Sequence, residues 1–326
     1  MSLSSPALGR RLLSMLICLR LGAAAPATFA AEGGTSLYLL GKRGPLAGLI
    51  PKPGWYVTND VYHYTGDIAA EIPIAGTVDS GVSADAWVNI LQLTWITDTE
   101  LAGARLALGA VLPAGRLAVD ADASAQLPVG LAVARGKSDD VTGLGDPAFA
   151  AGLGWKVRNG DLFRAWNVYA TLFAPLGDYK LGRIANMGAN RWGVDVGTAF
   201  TFGNFARGRE LSGVLGVTFN GKNRDTDYRT GTESHLELVY KQHLPKGFSF
   251  GLAGYYYQQL TGDSGSALLG DFKGRVAAIG PELGYQFEAG GRTVGLDLRW
   301  YHEFAAQNRL EGDAVFFTVS LPLQRD

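Results

Sequence analysis

The sequence predicts an all-β fold: a transmembrane antiparallel up-and-down β-barrel of about twelve strands. The first observation behind this prediction is strict alternation. In residues 192–203, Trp192, Val194 and Val196 fall on one face of a strand, and the residues between them are small or polar. Side chains alternate across a strand, so such a segment has one apolar wall and one small or polar wall.

The second observation is the length of the alternating segments. About ten residues suffice for a tilted strand to cross a bilayer, whereas strands of soluble proteins have about 5–6 residues. Residues 294–304 repeat the pattern, with Leu298 and Trp300 on the outer face and Arg299 and Tyr301 on the inner face. The repetition predicts a wall with lipid outside and a polar interior.

The third observation is that the connections alternate in length. The short connections are residues 159–160, 245–247 and 288–292. The long connections are residues 66–84, 176–190, 221–231 and 260–274. Outer-membrane barrels of Gram-negative bacteria have short periplasmic turns and longer external loops, so this asymmetry predicts that location. Tryptophans near strand ends, such as Trp55 and Trp95, predict aromatic belts at the two membrane interfaces.

Composition agrees with a barrel and excludes other classes. Of the 326 residues, 47% are hydrophobic and 18% are charged, which is too polar for a bundle of membrane helices and low in charge for a soluble enzyme. The chain has 45 glycines, and small residues on an inner wall leave room for a lumen or for bulky groups across it. Basic residues do not outnumber acidic ones, so no nucleic-acid partner is expected.

Residues 1–30 have the pattern of a secretory signal peptide. Arg10 and Arg11 precede a short apolar stretch at residues 12–19, and small residues lead to a cleavage site after Ala30. The apolar stretch is too short to span a membrane as a helix. The single cysteine, Cys18, lies inside this segment, so the mature chain is expected to have no disulfide, thiol nucleophile or cysteine metal site.

Residues 31–53 are rich in glycine and proline, and no strand is predicted there. They are expected to form an ordered coil or short helix in the barrel mouth, or a plain surface arm. The barrel itself is assigned to residues 54–326. Its twelve predicted strands are residues 55–64, 85–96, 104–120, 147–157, 163–174, 191–203, 211–220, 232–243, 248–259, 275–287, 293–304 and 313–321. Fourteen strands would require one at residues 123–134 and one more.

The alternation also predicts which side chains line the lumen. The residues assigned to the inner wall are Asn167, Tyr169, Asp195, Glu237, Tyr255, Tyr257, Gln259, Glu282, Arg299 and Tyr301. A wall that is both polar and aromatic suits amphipathic or aromatic solutes, but the same bulky groups could simply fill the lumen. Opposite charges on this wall are expected to pair, which favours a narrow barrel.

Three other candidate sites compete with simpler interpretations. Glu233, His235 and Glu237 share one strand face and could hold a metal ion, although a wet barrel interior accepts such groups without one. Asp263 and Asp271 could bind calcium or could be solvated loop acids. Residues 143–145 lack the following helix that a dinucleotide site needs. No cofactor is therefore expected.

An enzyme embedded in the barrel is the least favoured class. A serine hydrolase needs a serine and a histidine within hydrogen-bond reach. Ser234 adjoins His235, but neighbours on a strand point to opposite faces, so this pair cannot act together.

Several segments resemble one known family, the outer-membrane proteins associated with the meta-pathway of phenol degradation. These segments are Gly143-Leu144-Gly145-Asp146-Pro147, Gly188-Ala189-Asn190-Arg191-Trp192, Gly231-Thr232-Glu233, residues 254–265 and Ile279-Gly280-Pro281. The run Tyr257-Gln258-Gln259-Leu260-Thr261-Gly262-Asp263-Ser264-Gly265 is the most specific of them.

The resemblance implies a β-barrel that admits hydrophobic or aromatic carbon sources. We therefore expect a passive channel for small organic solutes, in contact with outer-membrane lipids. A structural or adhesive barrel with a closed lumen is the alternative, and an embedded hydrolase comes third.

Barrels of this kind often end on an aromatic residue that the barrel assembly machinery reads. Here Phe317, Val319 and Leu321 alternate, but residues 322–326 follow and contain no aromatic side chain.

Overall fold

The computed structural model describes residues 36–73, 77–126, 132–265 and 273–324. The predicted signal peptide lies outside these residues, as does Asp271. The strands are β1 (Gly54–Pro73), β2 (Thr77–Leu101), β3 (Ala104–Gln126), β4 (Ala132–Leu144), β5 (Ala148–Asn159), β6 (Leu162–Phe173), β7 (Gly193–Asn204), β8 (Arg209–Asn220), β9 (Tyr228–Arg229), β10 (Glu233–His243), β11 (Phe248–Gln259), β12 (Ser264–Gly265), β13 (Arg275–Glu288), β14 (Thr293–Gln307) and β15 (Glu311–Pro322).

The sheet closes into a twelve-stranded antiparallel barrel. β1 pairs with both β2 and β15, and β2 pairs with β3, which leaves no open edge between the first and last strands. β4 and β5 both pair with β3 and together form one wall strand, interrupted at residues 145–147. The short strands β9 and β12 pair only with each other. The prediction of an all-β barrel with twelve strands is confirmed.

One long connection was predicted wrongly. Residues 66–84 were expected to be a loop, but the β1–β2 hairpin continues through residues 66–73 and 77–84, with paired positions from Tyr56–Thr94 up to Pro73–Thr77. β3 likewise extends to Gln126 and pairs with β4 beyond the level of the other strands. Glycine, serine and aspartate are poor strand formers alone, but a paired neighbour on each side satisfies their backbone groups.

The two ends of the barrel differ as predicted. Very short turns join β2 to β3, β5 to β6, and β13 to β14, and a single 3-10 turn at Pro245–Gly247 precedes β11. The longer connections 174–192, 221–232 and 260–274 lie at the opposite end. By the turn-length rule the short-turn end is periplasmic, and β1 begins and β15 ends there. Gly160 sits in the β5–β6 turn with φ +57°, a conformation that favours glycine.

The outer surface is apolar and carries aromatic residues at two levels. Trp55 and Trp95 stack at the periplasmic end with ring centroids 5.7 Å apart, while Trp87 and Trp300 are exposed nearer the other end. Trp87 and Trp95 both lie on β2, about 26 Å apart along the strand at ~3.3 Å per residue. A tilt of roughly 40° reduces this to about 20 Å, close to the height of a barrel's apolar band. The predicted belts therefore bound a membrane-spanning zone.

No helix in the described ranges is long and apolar enough to cross a membrane.

Candidate functional site

The ten side chains that the alternation assigned to the inner wall are all buried in the structure. Asn167, Tyr169, Asp195, Glu237, Tyr255, Tyr257, Gln259, Glu282, Arg299 and Tyr301 are each at most 7% exposed and belong to six of the barrel strands. Their neighbours on the same strands, such as Trp166 and Leu298, are exposed on the outer face. The ten residues thus share the interior, and their part in solute passage stays a prediction.

The interior also contains residues 36–53, here called the lumen segment. It forms neither helix nor strand and passes along the inside of the barrel. Ser36 donates to Glu233, at the extracellular end of β10, with 2.7 Å between the oxygens. At the other end, the Gly48 N–H donates to the Thr201 hydroxyl at 3.0 Å, near the periplasmic turn after β7. The segment therefore spans most of the lumen's length before β1 begins.

Two wall side chains hold the middle of the lumen segment. The Glu237 carboxylate accepts the backbone N–H of Gly41 at 2.9 Å and that of Arg43 at 3.1 Å. The Arg299 guanidinium donates to the carbonyl oxygens of Gly41 and Lys42 at 2.6 and 3.1 Å. Gly41 has φ +75°, and a Cβ there would lie 2.8 Å from the Tyr301 ring. Only glycine fits the segment at this point.

The lower half of the lumen segment is held in the same way. The Leu46 N–H donates to Glu210 at 2.6 Å, and the Asn167 side-chain amide donates to the Ala47 carbonyl at 2.9 Å. A Cβ on Gly48 would collide with the backbone of β7 at Phe200 and Thr201. The backbone of the segment thus lies directly against the wall, and wall side chains satisfy its polar groups.

The wall is strongly acidic. In strand residues whose side chains are described, seven carboxylates are buried against two cations, Lys241 and Arg299. The seven are Asp60, Asp195, Glu210, Glu233, Glu237, Glu282 and Glu303. The lumen segment brings two further cations: Lys42 pairs with Asp60 at 3.0 Å, and the Arg43 guanidinium lies 3.7 Å from the centroid of Tyr169. The segment therefore offsets part of the wall's negative charge.

Opposite charges on the wall pair as the sequence indicated. Lys241 forms ion pairs with Glu282 at 2.7 Å and with Asp297 at 2.6 Å. Arg299 donates to the Thr318 hydroxyl, which in turn donates to Asp60. The Lys241 pairs reach across β11 to β13 and β14, whereas Arg299, Thr318 and Asp60 link the neighbouring strands β14, β15 and β1. Asp60 and Glu210 were not among the predicted wall residues, although extending the period-two count along β1 and β8 identifies both, whereas the alternation had placed Glu303 on the inner face of residues 294–304.

His235 lies at a corner of the lumen where aromatic and acidic groups meet. Its Nε2 is 3.0 Å from Asp195, which also accepts the Thr218 hydroxyl at 2.8 Å. The ring of Tyr38, from the lumen segment, stacks on the imidazole at a centroid distance of 3.5 Å and an angle of 14°. This corner combines a flat apolar face with hydrogen-bond acceptors.

The metal and calcium interpretations gain no support. Glu233 accepts hydrogen bonds from Ser36, Tyr257 and Asn220, while His235 turns to Asp195. No group of three potential ligands converges in the described part of the chain. The Asp263 carboxylate accepts the Gly231 N–H, the Gln259 amide and the Tyr228 hydroxyl.

His63, His235, His243 and His302 each contact a carboxylate: Asp85, Asp195, Glu210 and Asp313 respectively.

Two of the motif segments meet at the extracellular side of the wall. Asp146, in the break between β4 and β5, accepts the N–H groups of Gly177 and Ala189 at 2.8 and 2.7 Å. Asp178 accepts the Leu144 N–H at 2.7 Å. Residues 143–147 and 188–192 therefore lock the loop 174–192 against β4, where no further strand covers that edge.

Comparison with known proteins agrees with this architecture. Residues 69–319 match the model of a protein family whose description is "MetA-pathway of phenol degradation". The chain belongs to this family. The resemblance found in the motif segments is thereby confirmed, and the phenol-degradation family covers most of the barrel. No curated protein matches the sequence significantly.

Among solved structures, the COG4313 outer membrane channel from Pseudomonas putida F1 has the same fold. It is 17% identical, with a TM-score of 0.64, over 87% of this chain and 98% of the channel. OpdK from Pseudomonas aeruginosa with vanillate (11% identity, TM-score 0.34) covers 82% of this chain and 98% of its own. OccAB1 from Acinetobacter baumannii (9%, 0.35) covers 87% and 100%. This member of the phenol-degradation family thus has an outer-membrane channel fold.

Proposed function

We propose that the protein is an outer-membrane channel for passive uptake of small hydrophobic or aromatic compounds in a Gram-negative bacterium. Family membership and the polar, aromatic inner wall support the solute class. Residues 1–30 would be the export signal, residues 31–53 an N-terminal coil or mouth segment that includes the lumen segment, and residues 54–326 the barrel. The outer wall would contact membrane lipids, the barrel assembly machinery would insert the chain, and transport would involve no catalysis.

A single observation carries the channel hypothesis: the barrel closes without the lumen segment. The ladder between β1, β2 and β15 is continuous, and none of residues 36–53 takes part in it. The segment is held by side chains such as Glu237 and Arg299 acting on its backbone. The lumen segment can therefore leave the lumen by breaking its contacts with wall side chains, and the strand pairing of the wall stays closed.

The filled lumen is the observation that favours the alternative, a structural or adhesive barrel with a closed interior. With the segment in place, Gly48 and Gly41 lie in contact with opposite parts of the wall. The lumen cannot contain a wide aqueous path while the lumen segment is packed against the wall in this way. The two hypotheses therefore differ in one property, whether the segment moves under native conditions.

Solute flux into liposomes tests the proposal. The refolded mature chain, checked by heat-modifiable gel mobility, is reconstituted and compared with empty liposomes for phenol-like aromatics and for sugars of similar size. We expect faster entry of the aromatics, slowed by replacing Tyr255 and Tyr257 with alanine. A folded barrel that passes neither solute would favour the closed structural barrel.

A further inference from the structure

We propose that Tyr38 acts as a tethered phenol and occupies the site at which a phenolic solute binds during passage. The site consists of His235, Asp195, Glu237 and Tyr169 on the inner wall. This inference rests on the proposed channel function and deepens it, because it names a binding site and a substrate class: neutral phenols.

The first argument is the ring contact. The Tyr38 ring lies almost parallel to His235 at 3.5 Å between centroids. The imidazole is 2% exposed and its orientation is fixed by Asp195 at 3.0 Å. Another flat ring can stack on this rigid imidazole face as well as the Tyr38 ring does. A free phenol could therefore take the position of the Tyr38 side chain.

The second argument is the set of polar atoms around the stacked pair. Tyr38 Oη lies within reach of Glu237 and Tyr169 Oη within reach of Asp195, yet these two hydroxyls, Asp195 Oδ2 and His235 Nδ1 are buried without a hydrogen bond of normal geometry in the described residues. Buried polar atoms are nearly always hydrogen-bonded, and exceptions in one place mark a functional region. A hydroxyl on a mobile solute can move to improve the geometry of these contacts, whereas the hydroxyl of Tyr38 is tethered beside Glu237.

The third argument is that neighbouring strands leave room for the site. A Cβ on Gly197 would collide with the Tyr169 hydroxyl, and one on Gly216 would collide with His235 Nε2. The two glycines lie side by side on β7 and β8, because Gly197 pairs with Gly216. Because these glycines have no side chains, the side chains of Tyr169 and His235 can lie over β7 and β8. The barrel strands themselves therefore make the space for the site.

Charge then selects among aromatic solutes. The charges acting on the Tyr38 hydroxyl include those of Glu237, Arg43 and Asp195. The two carboxylates, Glu237 and Asp195, outnumber the single cation Arg43 at this hydroxyl. A carboxylate accepts a hydrogen bond from a phenolic hydroxyl but repels a carboxylate-bearing ring. The site therefore fits a neutral phenol and disfavours a benzoate.

Binding of p-cresol, the side chain of tyrosine as a free molecule, tests this inference. The refolded full barrel is titrated by calorimetry with p-cresol, toluene and 4-methylbenzoate. We expect Tyr38→Ala to bind p-cresol at least tenfold more tightly than the unchanged protein does, and more tightly than either of the other two probes. Tyr38→Phe should show no gain, because the tethered ring remains.

The matched control is Tyr64→Ala, which removes a tyrosine elsewhere on the inner wall whose hydroxyl donates to Glu303 at 2.9 Å. Tyr38→Ser is the second variant if the alanine form does not fold. Equal p-cresol binding by Tyr64→Ala and Tyr38→Ala, no gain in folded Tyr38→Ala or Tyr38→Ser, or toluene binding as tight as p-cresol binding would overturn the inference.

Binding and flux separate this inference from the channel hypothesis. Tight, selective p-cresol binding by Tyr38→Ala without flux through liposomes supports the site and contradicts the channel. Phenol flux that is unchanged by Tyr38→Ala, with no gain in p-cresol binding, supports the channel and overturns the site.

Discussion

Glu237, in the middle of the barrel wall, accepts the backbone N–H of Gly41 at 2.9 Å, although 196 positions separate the two residues. The second carboxylate oxygen accepts the N–H of Arg43. One wall side chain thus holds two successive points of the lumen segment. The position of that segment is therefore expected to depend on this carboxylate.

Replacing Glu237 with glutamine should release the lumen segment. The substitution replaces one acceptor oxygen by an amide that faces a backbone N–H, and hydrogen bonds to charged groups contribute about 1.5–3 kcal/mol each. We expect the open fraction to rise about tenfold or more, seen as more frequent conducting events in planar bilayers. Glu303→Gln is the control, because Glu303 contacts Tyr64, Tyr255 and Gly312 and not the segment. Equal conductance in the two variants would contradict the prediction.

A disulfide between the lumen segment and the wall should close the channel. Ala47 packs against a buried cluster that contains Ala199 and Val214. Because Cys18 is the chain's single cysteine and lies in the predicted signal, the mature chain offers no competing thiol. We expect Ala47→Cys combined with Ala199→Cys or Val214→Cys to lose solute flux when oxidised.

Flux in these double variants should return after reduction, and the single-cysteine variants should respond to neither treatment. Undiminished flux through the fully oxidised double variants would show that solutes pass without movement of the segment.

The acidic wall predicts cation selectivity. Seven buried carboxylates face two buried wall cations, and rings of Asp and Glu favour cation passage in channels. We expect the reversal potential across a KCl gradient to report preference for K⁺, weakening as the salt concentration rises because ions screen the wall. Glu210→Gln should reduce the preference, and the outward Glu311→Gln, which lies at the extracellular rim, should change it less. Anion preference would be incompatible with this view of the lumen.

Asp146 is expected to hold the extracellular loop 174–192 in place. Alanine at this position leaves the N–H groups of Gly177 and Ala189 without their acceptor. We predict that trypsin cuts after Lys180 or Arg183 several-fold faster in Asp146→Ala, because cleavage requires the loop to detach from β4. Asp161→Ala, in the exposed β5–β6 turn, is the matched control. An unchanged cleavage rate would mean that Lys137 and Asp139, which also bind this loop, suffice to hold it.

Local pattern was sufficient for the barrel because its cause is local. Each strand meets lipid on one side and polar groups on the other, so inward residues such as Asp195 and Arg299 can be assigned from alternation alone. Turn signals such as Asn159-Gly160 are equally local, since two or three residues set the backbone conformation of a hairpin. Family motifs then indicated the class to which the barrel belongs.

The exceptions all depend on partners that are distant in sequence. Residues 66–84 contain few good strand formers, and only pairing with β3 and with each other makes them a hairpin extension. Glu233, His235 and Glu237 suggested a metal site. In the structure these three side chains have separate partners, which are Ser36, Asp195 and the Gly41 N–H respectively.

By itself, therefore, the sequence determined the class of the protein and the strand count, and it predicted the inward-facing residues. The tertiary structure alone decided that residues 36–53 fill the lumen and that Tyr38 stacks on His235. The physical reason is that each strand residue meets either lipid or the polar interior, so the polarity of each residue is set separately. The position of a coil without periodicity is set by hydrogen bonds to a wall that exists only once the barrel has closed.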